Sequence, residues 1–91
     1  MNNVEKQILY KSSQLLVSIS GKANQMSTKD TQGYYNDIHV ALKIFINITY
    51  ALFDNDKKYA KELTNELSDY VSKIFKDNNL GYPNEDLFKH I

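Results

Sequence analysis

Two histidines and no cysteine leave this chain little chemistry to offer. Asn36, His39, Lys43 and Asn47 follow one another in steps of three or four, the spacing of one helix face. A metal site needs further ligands at such spacing, and no HxxxH or HExxH pattern occurs, so we expect neither metal nor cofactor. His90 lies in a short C-terminal segment and reads as solvated. Asp54 and Asp56 begin like a calcium loop. Lys58 and Tyr59 then occupy the positions of the next oxygen ligand and of the required glycine, which removes that reading. Many serines and threonines are present, none at a recognisable nucleophile turn, and the glycines are isolated and form no phosphate loop. Acid pairs such as Glu62 and Glu66 lie on a polar helix face. We therefore expect a protein that is not an enzyme and has no catalytic residues.

Composition narrows the partners. The chain has 91 residues, eleven lysines balanced by eleven acids, and no arginine. Zero net charge argues against a general nucleic-acid binder, which carries a basic face, and against an acidic mimic of DNA. Lys57, Lys58 and Lys61 cluster where a helix begins, a position where the helix dipole disfavours them. They form the one local candidate for contact with phosphate or an acidic partner. Abundant Lys, Asn, Ile and Tyr match AT-rich codons, hence a low-GC bacterium or its phage or plasmid. No charged segment leads into a short apolar one as in a signal peptide, and the central apolar stretch is interrupted by His39, Lys43 and Asn47. We expect a cytoplasmic protein without a membrane span.

Helices must position these residues. Residues 34–53 are the most apolar stretch. On a wheel of about 100° per residue, Ile38, Ala41, Leu42, Phe45, Ile48 and Leu52 form one stripe. Tyr34, Tyr35 and Phe53 extend it; Val40, Ile44 and Ala51 widen one side and Ile46 the other. The apolar arc spans roughly 240°, against about 100° for an ordinary surface helix. Two neighbouring helices can cover much of it, and anything left over points to a partner or to self-association. The β-branched alternation of Ile44, Ile46 and Ile48 invites a strand, but Phe45 breaks it and no second strand is available to pair. A narrow polar seam remains: Asn36, His39, Lys43, Asn47 and Tyr50. With Tyr10, it is the candidate protein-binding surface, since tyrosine is enriched at interfaces.

The other elements follow from pattern and punctuation. A helix over residues 3–20 is capped by Asn2 with Glu5 three residues on. Its stripe is Met1, Val4, Ile8, Leu15 and Ile19, flanked by Leu9 and Leu16, with Ser12 allowing close helix approach. Gly21 is expected to end it in the left-handed conformation. Residues 22–30 read as a polar loop, with Ser27, Thr28 or Thr31 as the next cap. After the helix over 31–53, Asp54-Asn55-Asp56 makes a tight turn into a third helix over 56–79. Its stripe is Tyr59, Ala60, Leu63, Leu67, Tyr70, Val71 and Ile74, with Phe75 at the margin. Lys58–Glu62, Asp69–Lys73 and Lys73–Asp77 have ion-pair spacing on its outer face. Leu80-Gly81-Tyr82-Pro83 is a stop, with Gly81 as the left-handed residue. Residues 84–90 form a short fourth helix or a tail whose Leu87 and Phe88 either fold back on the core or anchor a partner.

The expected architecture is a single all-α domain, a small antiparallel three-helix bundle with a short C-terminal fourth helix or tail. A helix opening at Tyr34-Tyr35, a short turn, a second helix opening at Tyr59-Ala60-Lys61-Glu62-Leu63, and Gly81-Tyr82 before a tail resemble the last two helices and tail of the pediocin-like bacteriocin immunity proteins. The resemblance covers about half the chain. It implies a small cytosolic antiparallel helical bundle, though one full helix of that bundle is missing here, and supplies no catalytic residues. Asp69-Tyr70 within the third helix is similarly reminiscent of flagellar export chaperones. Function is thus expected to be the binding of another protein, as an inhibitor or immunity protein. A homo-oligomeric structural or chaperone-like protein is the alternative, and a nucleic-acid or nucleotide-binding module the second alternative.

Overall fold

A computed structural model describes residues 2–22, 31–80 and 85–91. Among them are three α-helices that pack against one another and no strand: α1 (Asn3–Lys22), α2 (Thr31–Phe53) and α3 (Lys57–Asp77). A 3-10 turn, Glu85–Phe88, follows. The chain is a small all-α bundle, as its periodicity requires.

Capping chemistry sets most of the helix ends. The Asn2 side chain accepts a hydrogen bond from the Glu5 amide at 2.9 Å and starts α1. Gly21 does not end that helix. The helix runs on to Lys22, and none of the described glycines has a positive φ. Both other helices close on asparagine instead. Asn55 (φ 59°) and Asn79 (φ 55°) take the left-handed conformation, which asparagine tolerates better than most side chains. At the end of α2, the amides of Asn55 and Asp56 reach back to the carbonyls of Leu52 and Ala51. At the end of α3, those of Asn79 and Leu80 reach the carbonyls of Lys76 and Phe75. The role expected of Gly81 thus falls to Asn79. Gly81 itself, Tyr82, Pro83, Asn84, Met1 and the connection over 23–30, with Ser27 and Thr28, lie outside the described residues. Asp56 caps α3, its carboxylate accepting from the Tyr59 amide at 3.1 Å. With two residues between α2 and this cap, the two helices form an antiparallel hairpin.

The core is built from one stripe per helix. Ile8, Ser12, Leu15 and Ile19 of α1 are fully buried. Ser12 returns its hydroxyl to the Ile8 carbonyl at 2.8 Å, so a small polar side chain sits in the interface without an unmet hydrogen bond. From α3 come Ala60, Leu63, Thr64, Leu67, Ser68, Val71, Ile74 and Phe75. Phe75 lies in the middle of the core rather than at its margin, and Tyr59 is exposed. The buried stripe of α2 is Tyr34, Ala41, Ile48, Ala51 and Leu52, with Ile38, Ile44 and Phe45 half-buried. Its centre is turned away from Leu42, which the sequence pattern had placed inside.

Tyr34 ties α2 to α1. Its hydroxyl donates to the Ile19 carbonyl, one of the last four of α1, which a helix leaves without an internal partner. Burial, and secondarily the charge of Asp37, push the Tyr34 phenol up to about 12. Tyr70 of α3 donates to the Asp37 carboxylate at 3.3 Å and holds the same end of the hairpin. Its phenol is also raised, by burial first and then by the charge and hydrogen bond of Asp37.

The C-terminal segment folds back along α3. Phe88 packs edge-on against Phe75 with ring centroids 5.7 Å apart. Ser68 donates to the Phe88 carbonyl at 2.8 Å, and the Ile91 amide donates to Asn65 at 2.8 Å.

Candidate functional site

The outer face of α2 carries two adjacent strips. The polar strip is Asn36, His39, Lys43, Asn47 and Tyr50, and all five are exposed. They recur at helical spacing, so the rotation that buries Ala41 and Ile48 turns them to solvent together. Beside them runs an apolar strip. Tyr35 is 53% exposed, Leu42 43%, Ile46 47% and Phe53 84%. The sequence reading counts these four within the apolar arc but does not say that they stay uncovered. Two helices cannot cover an arc of roughly 240°, and these residues are the remainder.

A cleft of about 370 Å³ opens at one end of this strip, between α1 and α2. Glu5 and Leu9 line it from α1, and Thr49, Leu52 and Phe53 from α2. Its walls are mostly hydrocarbon, with one carboxylate at the edge. Glu5 lies 3.9 Å from the Lys57 ammonium at the start of α3. Nothing in the sequence marks this cleft, because it depends on how α1 and α2 are spaced.

Other candidate residues are dispersed. Tyr10 is exposed on α1, about 100° round the helix from the cleft-lining Leu9, and does not extend the α2 strips. Lys57, Lys58 and Lys61 share about 100° of the first turns of α3 but differ in surroundings. Lys57 faces Glu5, Lys61 is half-buried and Lys58 is exposed about 100° further round. Leu87 and Phe88 are half-buried and pack on the chain's own core, so in this structure neither is presented to a partner. His90 is not simply solvated: its Nε2 lies 2.7 Å from the Asp69 carboxylate. Asp69 thereby meets the tail instead of Lys73. Among the described residues no three His, Asp or Glu side chains gather to hold a metal ion, and no helix is long and apolar enough to cross a membrane.

Comparison of the chain with protein-family models, with curated proteins and with solved structures finds no match.

Proposed function

We propose that this chain is a non-enzymatic module that binds another protein through the outer face of α2. One observation carries the reading: Tyr35, Leu42, Ile46 and Phe53 stay exposed in a row, beside an uncharged-to-basic polar strip, on a helix whose opposite face is fully packed. The largest contiguous apolar patch on a monomeric protein, rimmed by polar residues, is often a functional surface. Stoichiometric binding of this kind suits an inhibitor or immunity protein acting in the cytoplasm of a low-GC bacterium, encoded by the host, a phage or a plasmid. The resemblance of the α2–α3 hairpin and tail to pediocin-like immunity proteins supports the same reading. Contact with nucleic acid through Lys57, Lys58 and Lys61 has less support, because Lys57 already faces Glu5.

A tagged chain used as bait in a low-GC bacterial lysate, with and without phage infection, tests this. One protein retained at near-stoichiometric yield, and lost with the Leu42→Glu variant, is the expected result. No retained protein, or retention that Leu42→Glu leaves unchanged, sinks it. A second reading, self-association, is favoured by a separate observation, the spacing of the exposed residues.

A further inference from the structure

We infer that the first occupant of the α2 outer face is a second copy of this chain, docked antiparallel, α2 against α2, about a two-fold axis at residue 44. The inference rests on reading that face as a protein-binding surface and names what covers it.

Tyr35, His39, Leu42, Ile46, Thr49 and Phe53 follow one another in alternating steps of four and three. That is the alternation of the two seam positions in a heptad, which keeps a stripe facing a partner helix along its length. The buried stripe of α2 faces α1 and α3, so this is a second seam on the same helix. Among its members Tyr35, Leu42, Ile46 and Phe53 are large and exposed, and none of the six is aspartate, glutamate, lysine or arginine. Charged residues are absent from the core of most interfaces, and polar ones mark the rim. Lys43 and Asn47 stand further round the helix, where a rim would be.

The seam is also self-complementary. Reversed about residue 44, Tyr35 falls opposite Phe53, His39 opposite Thr49 and Leu42 opposite Ile46. Every large apolar member then meets another, as a closed two-fold interface requires. In a parallel pairing each residue would meet its own copy, leaving His39 against His39 and Thr49 against Thr49. The antiparallel register also carries Tyr35 of the second copy to the level of Thr49 and Phe53. There the cleft between α1 and α2 offers an apolar wall for the ring and Glu5 at its edge for the hydroxyl.

Area sets the class of interface. With aromatic side chains presenting about 150–250 Å² each, the four apolar members leave roughly 400 Å² exposed per copy. Two copies, with His39, Thr49 and Tyr50 at the margin, bury on the order of 1,000 Å², the lower limit for a specific interface. Interfaces of this size are typically weak and transient, so the dimer is expected to be reversible. Its rim leaves Asn36, Lys43 and Asn47 open.

Sedimentation equilibrium of the full chain from micromolar to millimolar concentration is the test. A monomer–dimer equilibrium is expected, weakened at least 100-fold by Leu42→Glu combined with Ile46→Glu. Both positions are exposed, and an unchanged circular dichroism spectrum confirms that the variant is folded. Orientation is read separately. The chain has no cysteine, so His39→Cys and Thr49→Cys chains can be mixed and oxidised. The mixed 39–49 disulfide is expected to exceed either self-disulfide, because the two copies of residue 39 would lie about 15 Å apart along the seam. A chain monomeric at millimolar concentration, a dimer indifferent to the double glutamate variant, or a dominant 39–39 disulfide overturns the inference. Should the chain be monomeric while Leu42→Glu abolishes capture of a different protein, the self-docking fails and the proposed function stands. Should it be monomeric and capture nothing, both fail.

Discussion

Helices α2 and α3 are of similar length, cross the same core and are joined by one tight turn, yet they use their apolar residues differently. In α3 almost every large apolar side chain is inside; its outer face is Lys58, Glu62, Glu66, Asp69 and Lys73. In α2 the apolar residues divide. Tyr34, Ala41, Ile48 and Leu52 are buried, whereas Tyr35, Leu42, Ile46 and Phe53 look outward. A three-helix bundle gives each helix only two neighbours. α3 has the apolar surface that two neighbours need, and α2 has more than they can cover. The surplus is what distinguishes this molecule from a minimal bundle.

Truncation on the two faces of α2, with α3 as reference, tests this difference most strongly. Leu67→Ala in α3 and Ile48→Ala in α2 each remove a fully buried side chain and should cost about 2–5 kcal/mol. Ile46→Ala, two positions away on the outer face, should stay within about 0.5 kcal/mol. Urea unfolding at low protein concentration, where any self-association is dissociated, measures all three. If Ile46→Ala costs as much as Ile48→Ala, the two faces of α2 are not distinct and the outer surface is not free. The next effect concerns what covers α3. Phe88→Ala withdraws a half-buried ring from Phe75 and should cost about 2 kcal/mol, below the range for a fully buried phenylalanine. Unchanged stability in the same assay would mean that the tail does not rest on α3 in solution.

Tyr34→Phe comes third. It leaves the ring in place but removes the hydroxyl from the Ile19 carbonyl, at a cost of about 1 kcal/mol. It also has a pH signature. Burial first, and then the charge of Asp37, push the Tyr34 phenol up to about 12 in the folded chain, from an ordinary value of about 10. Its stabilising contribution is therefore complete below pH 10 and lost as pH rises from 10 towards 12, because only the unfolded chain readily releases the proton. Thermal melts between pH 9 and pH 12 should show wild type losing stability more steeply than Tyr34→Phe. Tyr70, raised in the same direction, adds to the slope that remains in the variant. Parallel curves would disconnect Tyr34 from the alkaline transition.

The fold was legible because periodicity, caps and turn residues agreed: Asn2, Asp56 and the Asp54-Asn55-Asp56 turn do what their side-chain chemistry suggests. The rotation of α2 was not legible. Its apolar arc is so wide that several buried stripes fit the pattern equally well, and only the packed neighbours choose Tyr34 over Leu42. The polar strip was readable because any such rotation leaves Asn36, Lys43 and Asn47 outside. The cleft beside Glu5 and Phe53 was not, since no local signal encodes the distance between α1 and α2. Gly21 misled for a related reason. Glycine permits a left-handed turn without requiring one, and at the end of α3 Asn79 takes that conformation first.

The two asparagine caps give the finest comparison between α2 and α3. Replacing either by alanine puts a Cβ without a compensating side-chain amide into the left-handed region, a strain of about 1 kcal/mol. Replacing it by glycine relieves strain but adds freedom to the unfolded chain, so the net change should be a few tenths of a kcal/mol. The positions should not respond equally. Asn55 joins the two most extensively packed helices, and the turn cannot relax without shifting α2 against α3. At Asn79 the last turn of α3 can unwind and release the strain, at the expense of the Asn79 and Leu80 amide bonds to Lys76 and Phe75. Asn55→Ala is thus expected to destabilise more than Asn79→Ala in urea. Hydrogen exchange should speed up locally at the end of α3 in the second variant and stay unchanged there in the first. The reverse order would place the rigid corner of the molecule at the tail rather than at the hairpin.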